Sequence, residues 1–317
     1  MKIKNLCILG GTGFVGRHLV ARLVNSGCQI TLPTRRRERH RDFLVMPGVR
    51  LVEADVSNEQ TLKTLFTDCD AVINLIGILN GSESKFRAVH TDLPRQVAEV
   101  ARDTGVKRLL HMCALGADLQ APSQYLRSKA AGEQAVFDTA GDALAVTSFR
   151  PSVIFGPDDS FLNRFADLLK LAPVLPLACP EARFAPVYVQ DVVRAFEVAL
   201  TEPKTYRQRL ELCGPHSYTL KQLVEYTAQV MGLRRLVIGL SDKLSLMQGQ
   251  VFEKLPGQIF TTDNYRSMQV PSVCQHNALP DLGINPHALE SIAPRYLGGK
   301  AGRYARYQIF RGVARRD

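Results

Sequence analysis

Along the first 150 residues the apolar positions switch repeatedly between two periods. Short, nearly continuous apolar runs over residues 3–9, 29–33, 49–54, 71–76, 108–113 and 145–149 read as strands. Between them, residues 14–25, 58–66, 86–103 and 124–139 place apolar side chains at three- and four-residue spacing, which predicts helices. Strands that alternate with helices require crossover connections, so the sheet is expected to be parallel. Its strands lack an in–out alternation, as expected when helices cover both faces. After Pro151 the pattern loosens, with Pro173, Pro176, Pro180 and Pro186 close together. Helices are expected over 161–171, 191–200 and 219–231, and strands over 184–189 and 210–213; residues 232–299 are mixed. The expectation is an α/β protein with a doubly wound core over residues 1–155. A smaller α/β lobe over 156–299 is expected to send segments back to that core, and 300–317 forms a tail.

Composition narrows the class. The 317 residues are 45% hydrophobic and 22% charged, which excludes a disordered or fibrous chain. No apolar run approaches the roughly 18 residues of a membrane span. Residues 1–4 run straight into a strand-like segment, so no export signal is expected. Seven cysteines, an odd number without a CxxC pair, argue against structural zinc and for a reducing cytoplasmic compartment. The net charge of +10 is concentrated in two places. Residues 35–42 hold five arginines against Glu38 and Asp42, and residues 300–317 hold six cations against Asp317. Clusters of this kind suit local anions, and no nucleic-acid-binding motif accompanies them.

The first cluster follows a recognisable loop. Gly10-Gly11-Thr12-Gly13-Phe14-Val15-Gly16 joins the first predicted strand to the first helix. Glycines at these intervals permit a tight turn and close backbone approach to a pyrophosphate, whose charge the helix N-terminus then faces. This makes the core a Rossmann-type one. A chain that takes NAD(H) usually ends its second strand with an acid for the ribose 2′-hydroxyl. Here the strand ends at Thr34 and arginines begin at Arg35 and Arg36. Guanidinium groups pair with phosphate, so NADP(H) is expected in preference to NAD(H). Asp55, after the third strand, either reaches the adenine amino group or opens the next helix. Tyr125 and Lys129 stand four apart in a helical stretch and share one face. An ammonium beside a phenol favours phenolate, so the pair suits proton transfer during hydride chemistry.

With these motifs the chain resembles the extended, atypical branch of the short-chain dehydrogenase/reductase superfamily over residues 3–200. Asn74-Leu75-Ile76-Gly77, Arg150-Pro151-Ser152-Val153 and Pro186-Val187-Tyr188-Val189-Gln190-Asp191 add to the likeness. The 125–133 stretch and Thr262-Asp263-Asn264 make it similar to the group around the nucleotide-binding accessory subunit of respiratory complex I and its bacterial relatives, to about residue 297. The resemblance implies that Gly10, Gly13 and Gly16 bind the pyrophosphate, with Thr12, Phe14 and Val15 of the same loop also on the cofactor. It places Gly77 near the adenosine ribose and phosphates, and counts Asp55, Val56 and Leu75 among the cofactor-binding residues. It makes Tyr125 the acid–base group and Lys129 the holder of the nicotinamide ribose, bordered by Pro151 and Val153. Relatives carry a catalytic Ser or Thr where this chain has Cys113, and a thiol is a poor donor to a substrate oxygen. Ser123 is the alternative hydroxyl, while a nucleophilic Cys113 would need His111 as its base.

Two functions follow. One is an NADP(H)-dependent oxidoreductase on an apolar carbonyl or quinone-like substrate, peripheral on the inner face of the membrane. The other is a non-catalytic nucleotide-binding assembly protein within a larger protein complex. The apolar stretch 161–177 is either substrate pocket or core, and it disfavours a nucleotide-sugar epimerase or dehydratase. The aromatic and basic tail 300–317 suits an anionic membrane surface. His90 is expected in core packing. No metal spacing is present.

Overall fold

The computed structural model describes residues 3–255 and 260–297. Its main sheet is built as the apolar runs predict, from β1 (Asn5–Leu9), β2 (Gln29–Thr34), β3 (Val49–Glu53), β4 (Ala71–Asn74), β5 (Arg108–Met112) and β6 (Ala145–Pro151), with β11 (Gln208–Leu212) as a seventh strand. The order is β11-β6-β5-β4-β1-β2-β3, and the pairings from β3 to β6 are parallel. The order reverses between β1 and β4, the switch point at which doubly wound sheets bind nucleotides.

Helices α2 (Glu59–Phe66), α4 (Leu93–Asp103) and α5 (Gln124–Ala140) pack Leu62, Phe66, Val97, Ala101 and Val136 against Cys7, Leu9, Val72 and Leu109 of the sheet. The opposite face carries α1 (Phe14–Asn25) and the second half of α7 (Val189–Thr201). There Phe149 stacks on Phe196 with centroids 4.0 Å apart, and Arg22 of α1 pairs with Glu197 of α7. Strand alternation sends Cys7 and Leu9 one way and Leu6 and Ile8 the other, all buried.

Two compact units result. The first comprises residues 1–120, 126–150 and 193–210; the second comprises 121–125, 151–192 and 211–317. Among the described residues the second unit has three two-stranded pieces. β7 (Ile154–Phe155) pairs in parallel with β10 (Val187–Tyr188), and β8 (Val174–Leu177) with β13 (Leu236–Gly239). β9 (Arg183–Phe184) runs antiparallel to β12 (Tyr218–Thr219). Around them lie α6 (Leu162–Leu171), α8 (Leu220–Val230), α9 (Asp242–Phe252), α10 (Thr262–Ser267), α11 (Leu289–Ile292) and α12 (Pro294–Leu297).

Three expectations are refined. The strand expected over 184–189 is split, because Pro186 lacks an N–H and the Ala185 N–H turns aside to the Ser272 carbonyl, 2.9 Å away. The helix expected over 86–103 is present, continuous from α3 (Glu83–Arg87) into α4, with a π-helical turn over residues 88–92 that the pattern did not show. Against the reducing compartment expected from the cysteine count, Cys213 and Cys274 form a disulfide, while Cys7, Cys28, Cys69, Cys113 and Cys179 remain thiols. Among the described residues no helix is long and apolar enough to cross a membrane, and no cluster of three or more His, Cys, Asp or Glu could hold a metal. Residues 300–317 lie outside the described residues.

Candidate nucleotide and acid–base site

The glycine loop has the shape a pyrophosphate cradle needs. Gly10 has φ +74°, and a Cβ there would stand 3.1 Å from the Leu75–Ile76 backbone. A Cβ on Gly16 would lie 2.4 Å from the Gly11 Cα, so helix and loop touch backbone to backbone. Gly13 caps α1 without a side chain, and the first turn has no acid. The early N–H groups of α1 and the positive end of its dipole therefore face the loop unneutralised, a fit to a diphosphate. Thr12, Phe14 and Val15 are partly exposed around it.

The end of β2 sits beside this loop's strand, where Thr34 is buried and its carbonyl accepts the Ala54 N–H at 3.0 Å. Beyond it the charges sort themselves. Glu38 pairs with Arg41, and Asp42 pairs with Arg17. Arg35 and Arg36 are exposed, and no carboxylate pairs with either among the described residues. Asp55 accepts the Ser57 N–H at 3.0 Å and its hydroxyl at 2.8 Å. These bonds, with a smaller contribution from Arg35, hold its carboxyl below the usual range. It does not cap the following helix: Asn58 does, accepting the Thr61 N–H at 3.0 Å. Val56 packs against the sheet's core. Leu75 extends β4 by donating its N–H to the Leu9 carbonyl at 2.9 Å.

Lys129, Cys113 and Gly77 are brought together in the first unit. The Lys129 ammonium is buried and donates to the Met112 carbonyl at 2.6 Å, at the end of β5. Burial lowers its pKa, against which Cys113 and Glu133 act. A Cβ on Gly77 would stand 3.7 Å from the ammonium and 3.5 Å from the His90 Nε2, so the glycine leaves space in front of both. The Cys113 thiol donates to the Lys129 carbonyl at 3.6 Å, and burial pushes it up to about 12. A thiol held there stays protonated at neutral pH. His111 lies beneath, with both ring nitrogens lacking partners; burial first, and the Lys129 charge second, drive it down to about 3. It is a neutral imidazole. So is His90, whose Nε2 accepts the Ile78 N–H at 3.0 Å and whose Nδ1 faces the Ser128 hydroxyl at 2.9 Å. The accepted bond puts the His90 proton on Nδ1.

Tyr125 stands one turn before Lys129 on α5, and its N–H donates to the Asp263 carboxylate at 3.0 Å. Ser123, just before the helix, is fully buried. Pro151 and Val153 flank Ser152, whose hydroxyl donates to the Ser272 carbonyl at 2.7 Å; the Val153 carbonyl accepts the Val187 N–H at 3.0 Å. The stretch 161–177 divides: Leu162, Ala166 and Leu169 are core, while Leu171 and Val174 are exposed. Two residues carry weight that sequence reasoning missed. Glu133, buried on α5, binds Ser148, Arg150 and Arg209. Asp263 was visible only as part of a motif, and its contact reaches across 138 residues of chain.

Residues 6–212 match the model of the NAD dependent epimerase/dehydratase family. Subunit 9 of the mitochondrial NADH dehydrogenase (ubiquinone) 1 alpha subcomplex of Arabidopsis thaliana is 30% identical, over 92% of this chain and 76% of its own. A protein of Caulobacter vibrioides named ceramide reductase is 30% identical, over 78% of this chain and 77% of its own. Among solved structures, the Escherichia coli NADPH-dependent quinone oxidoreductase complexed with NADPH superposes with a TM-score of 0.72 at 16% identity, covering 96% of this chain and 99% of that one. That likeness is one of fold.

Proposed function

Because the chain belongs to the NAD-dependent epimerase/dehydratase family, the extended short-chain dehydrogenases/reductases that bind NAD(P), we propose that it is an NADP(H)-dependent oxidoreductase. Its substrate in this reading is an apolar carbonyl or quinone-like lipid held at an anionic membrane surface. The observation that carries the reading is the buried Lys129 ammonium, one helical turn from Tyr125 and facing the open side of Gly77. The dinucleotide, when bound, supplies or accepts the hydride. Lys129 holds the nicotinamide ribose and favours the Tyr125 phenolate, and Tyr125 passes the proton to or from the substrate oxygen. Pro151 and Val153 border the ring. Arg35 and Arg36 take the 2′-phosphate, because every acid in their stretch is already paired.

The lipid part of the proposal draws on the second unit and on the Caulobacter relative. Exposed Val174, Leu236 and Ile238 on the β8–β13 ribbon, and Leu244, Met247 and Val251 on α9, are interleaved with Arg234, Arg235, Lys243 and Lys254. The Gln248 side-chain amide donates to the Pro176 carbonyl at 3.3 Å, which sets helix and ribbon side by side. Exposed apolar side chains with cations nearby in the chain suit the headgroup boundary of an anionic bilayer. By composition residues 300–317 are cationic as well, with six cations against Asp317.

A second reading, a nucleotide-holding subunit without turnover inside a larger complex, is favoured by one observation. The hydroxyl donor position is Cys113, and its thiol is already engaged with the Lys129 carbonyl. The experiment that tests the first reading is identification of the nucleotide released on denaturation, followed by NADPH and NADH titration and NADPH oxidation with a water-soluble ubiquinone analogue. NADPH is expected to bind at least about tenfold more tightly than NADH, with the preference lost in Arg35→Ala/Arg36→Ala. Turnover that vanishes in Tyr125→Phe supports the oxidoreductase. Bound NADPH with no oxidation of any ketone or quinone supports the subunit.

A further inference from the structure

The first two residues of α5, Gln124 and Tyr125, group with the second unit, and there they meet a carboxylate from far along the chain. Asp263 Oδ1 accepts the Gln124 N–H at 2.7 Å, and Oδ2 accepts the Tyr125 N–H at 3.0 Å. A helix leaves its first N–H groups without intrahelical partners, and an anion there gains both from the bonds and from the dipole. Such caps are normally local. This one is supplied by α10, 138 residues downstream of the tyrosine.

Asp263 is itself held in place. Thr261 and Asn264 form a reciprocal capping box at the start of α10, with bonds of 3.1 Å in each direction. Thr262 gives its N–H and hydroxyl to Glu253 at 3.2 and 2.8 Å. Gly249 of α9 admits this corner: a Cβ there would press to 3.3 Å on the Thr261 carbonyl and the Thr262 nitrogen. The carboxylate thus sits on a braced turn, with each oxygen directed at one N–H of the tyrosine's helix.

We infer that Asp263 is a positioning residue for Tyr125: from the α9–α10 corner it caps α5 and fixes the backbone that carries the phenol. The inference rests on Tyr125 being the acid–base group. A phenol must sit within hydrogen-bond reach of the substrate oxygen, and small displacements of a reacting group are costly in rate.

The test compares the full chain with Asp263→Ala, Asp263→Asn and Tyr125→Phe. NADPH oxidation by a water-soluble ubiquinone analogue is measured with amide exchange of a peptide spanning residues 121–127. In Asp263→Ala, kcat is expected to fall about ten- to hundredfold while KM for NADPH stays within about twofold. Exchange in 121–127 speeds up, and the glycine-loop peptide is unchanged. Asp263→Asn, which keeps a carbonyl oxygen at one bond, recovers part of kcat. Unchanged exchange and turnover in Asp263→Ala overturn the inference whatever Tyr125 does. So does a fall in kcat with no recovery in Asp263→Asn and a matching loss of NADPH binding, which marks a merely structural role. Tyr125→Phe as active as the wild type overturns the acid–base reading instead, and faster exchange in Asp263→Ala then leaves a helix cap without a catalytic purpose.

Discussion

At the scale of single residues the polar side chains under α5 decide how the site responds to pH. Asn74, His111 and Ser148 are register neighbours on β4, β5 and β6, and all three are buried. Ser148 donates to Glu133 at 2.5 Å, which Arg150 and Arg209 hold ionised below the usual carboxylate range against the effect of burial. Asn74 keeps an N–H group without a partner, and His111 keeps both ring nitrogens so. His90 and His111 titrate near 3 in the folded chain and near 6.5 when unfolded. Between these values the unfolded chain binds the extra protons. Stability is therefore expected to fall as pH drops from about 6.5 toward 3, by up to roughly 1.4 kcal/mol per pH unit for each histidine. Denaturant midpoints at pH 7 and pH 5 measure it. His111→Leu removes one of the two contributions and both unsatisfied nitrogens, so it is expected to flatten the slope and to cost less at pH 5 than at pH 7. A slope unchanged in His111→Leu would mean that the imidazole is not buried neutral.

At the scale of elements, what the chain displays openly is periodicity, and what it hides is contact between elements. The first strands, α1 and the glycine loop follow from apolar runs and glycine spacing, because both signals are local. The π-helical turn within the helix expected over 86–103 is not local in origin. Gly132 of α5 lies so close to residues 88–92 that a Cβ on it would stand 1.6 Å from the His90 carbonyl oxygen. Thr91 donates to the Ser128 carbonyl at 3.2 Å, and His90 faces the Ser128 hydroxyl. A π-helical turn accommodates this approach, and nothing in the sequence of 86–103 announces it. Gly132→Ala is expected to destabilise the chain by about 3 kcal/mol or to prevent folding, because backbone opposes the methyl group. Gly105→Ala serves as the contrast in space, since nothing lies within 4 Å of its Cβ position and only its φ of +77° opposes the change. Denaturation of the two variants side by side separates collision from backbone strain.

At the scale of the whole molecule the covalent connection was the hardest feature to foresee. Counting seven cysteines predicts an odd thiol and no pairing rule, whereas the fold sets Cys213, at the end of β11, beside Cys274, 61 residues on. The segment around Cys274 is tied down besides. Ala278 donates to the Glu211 carbonyl at 2.9 Å, the Asn277 amide to the Cys213 carbonyl at 2.9 Å, and Gln275 to the Glu211 carboxylate at 2.8 Å. Ser272 in the same segment accepts the Ser152 hydroxyl, so the strap also braces the turn between Pro151 and Val153. Closing a loop of this length restricts the unfolded chain by up to about 4 kcal/mol, and measured disulfides deliver about 2–4. Cys213→Ser and Cys274→Ser, and the reduced wild type, are therefore each expected to lose about 2–4 kcal/mol in the transition of the second unit. Exchange is expected to rise over residues 270–279. Intact mass after alkylation reports how much of the protein carries the bond, since the five other thiols stay whether it is closed or open. The hydrogen bonds that remain in the reduced protein decide what else changes. If they hold the strap, nucleotide binding survives reduction and the disulfide is only a stabiliser. If NADPH affinity falls with the strap's protection, the turn at Ser152 depends on the bond. Equal stability of the oxidised and reduced proteins would instead mean that the hydrogen bonds alone close the loop.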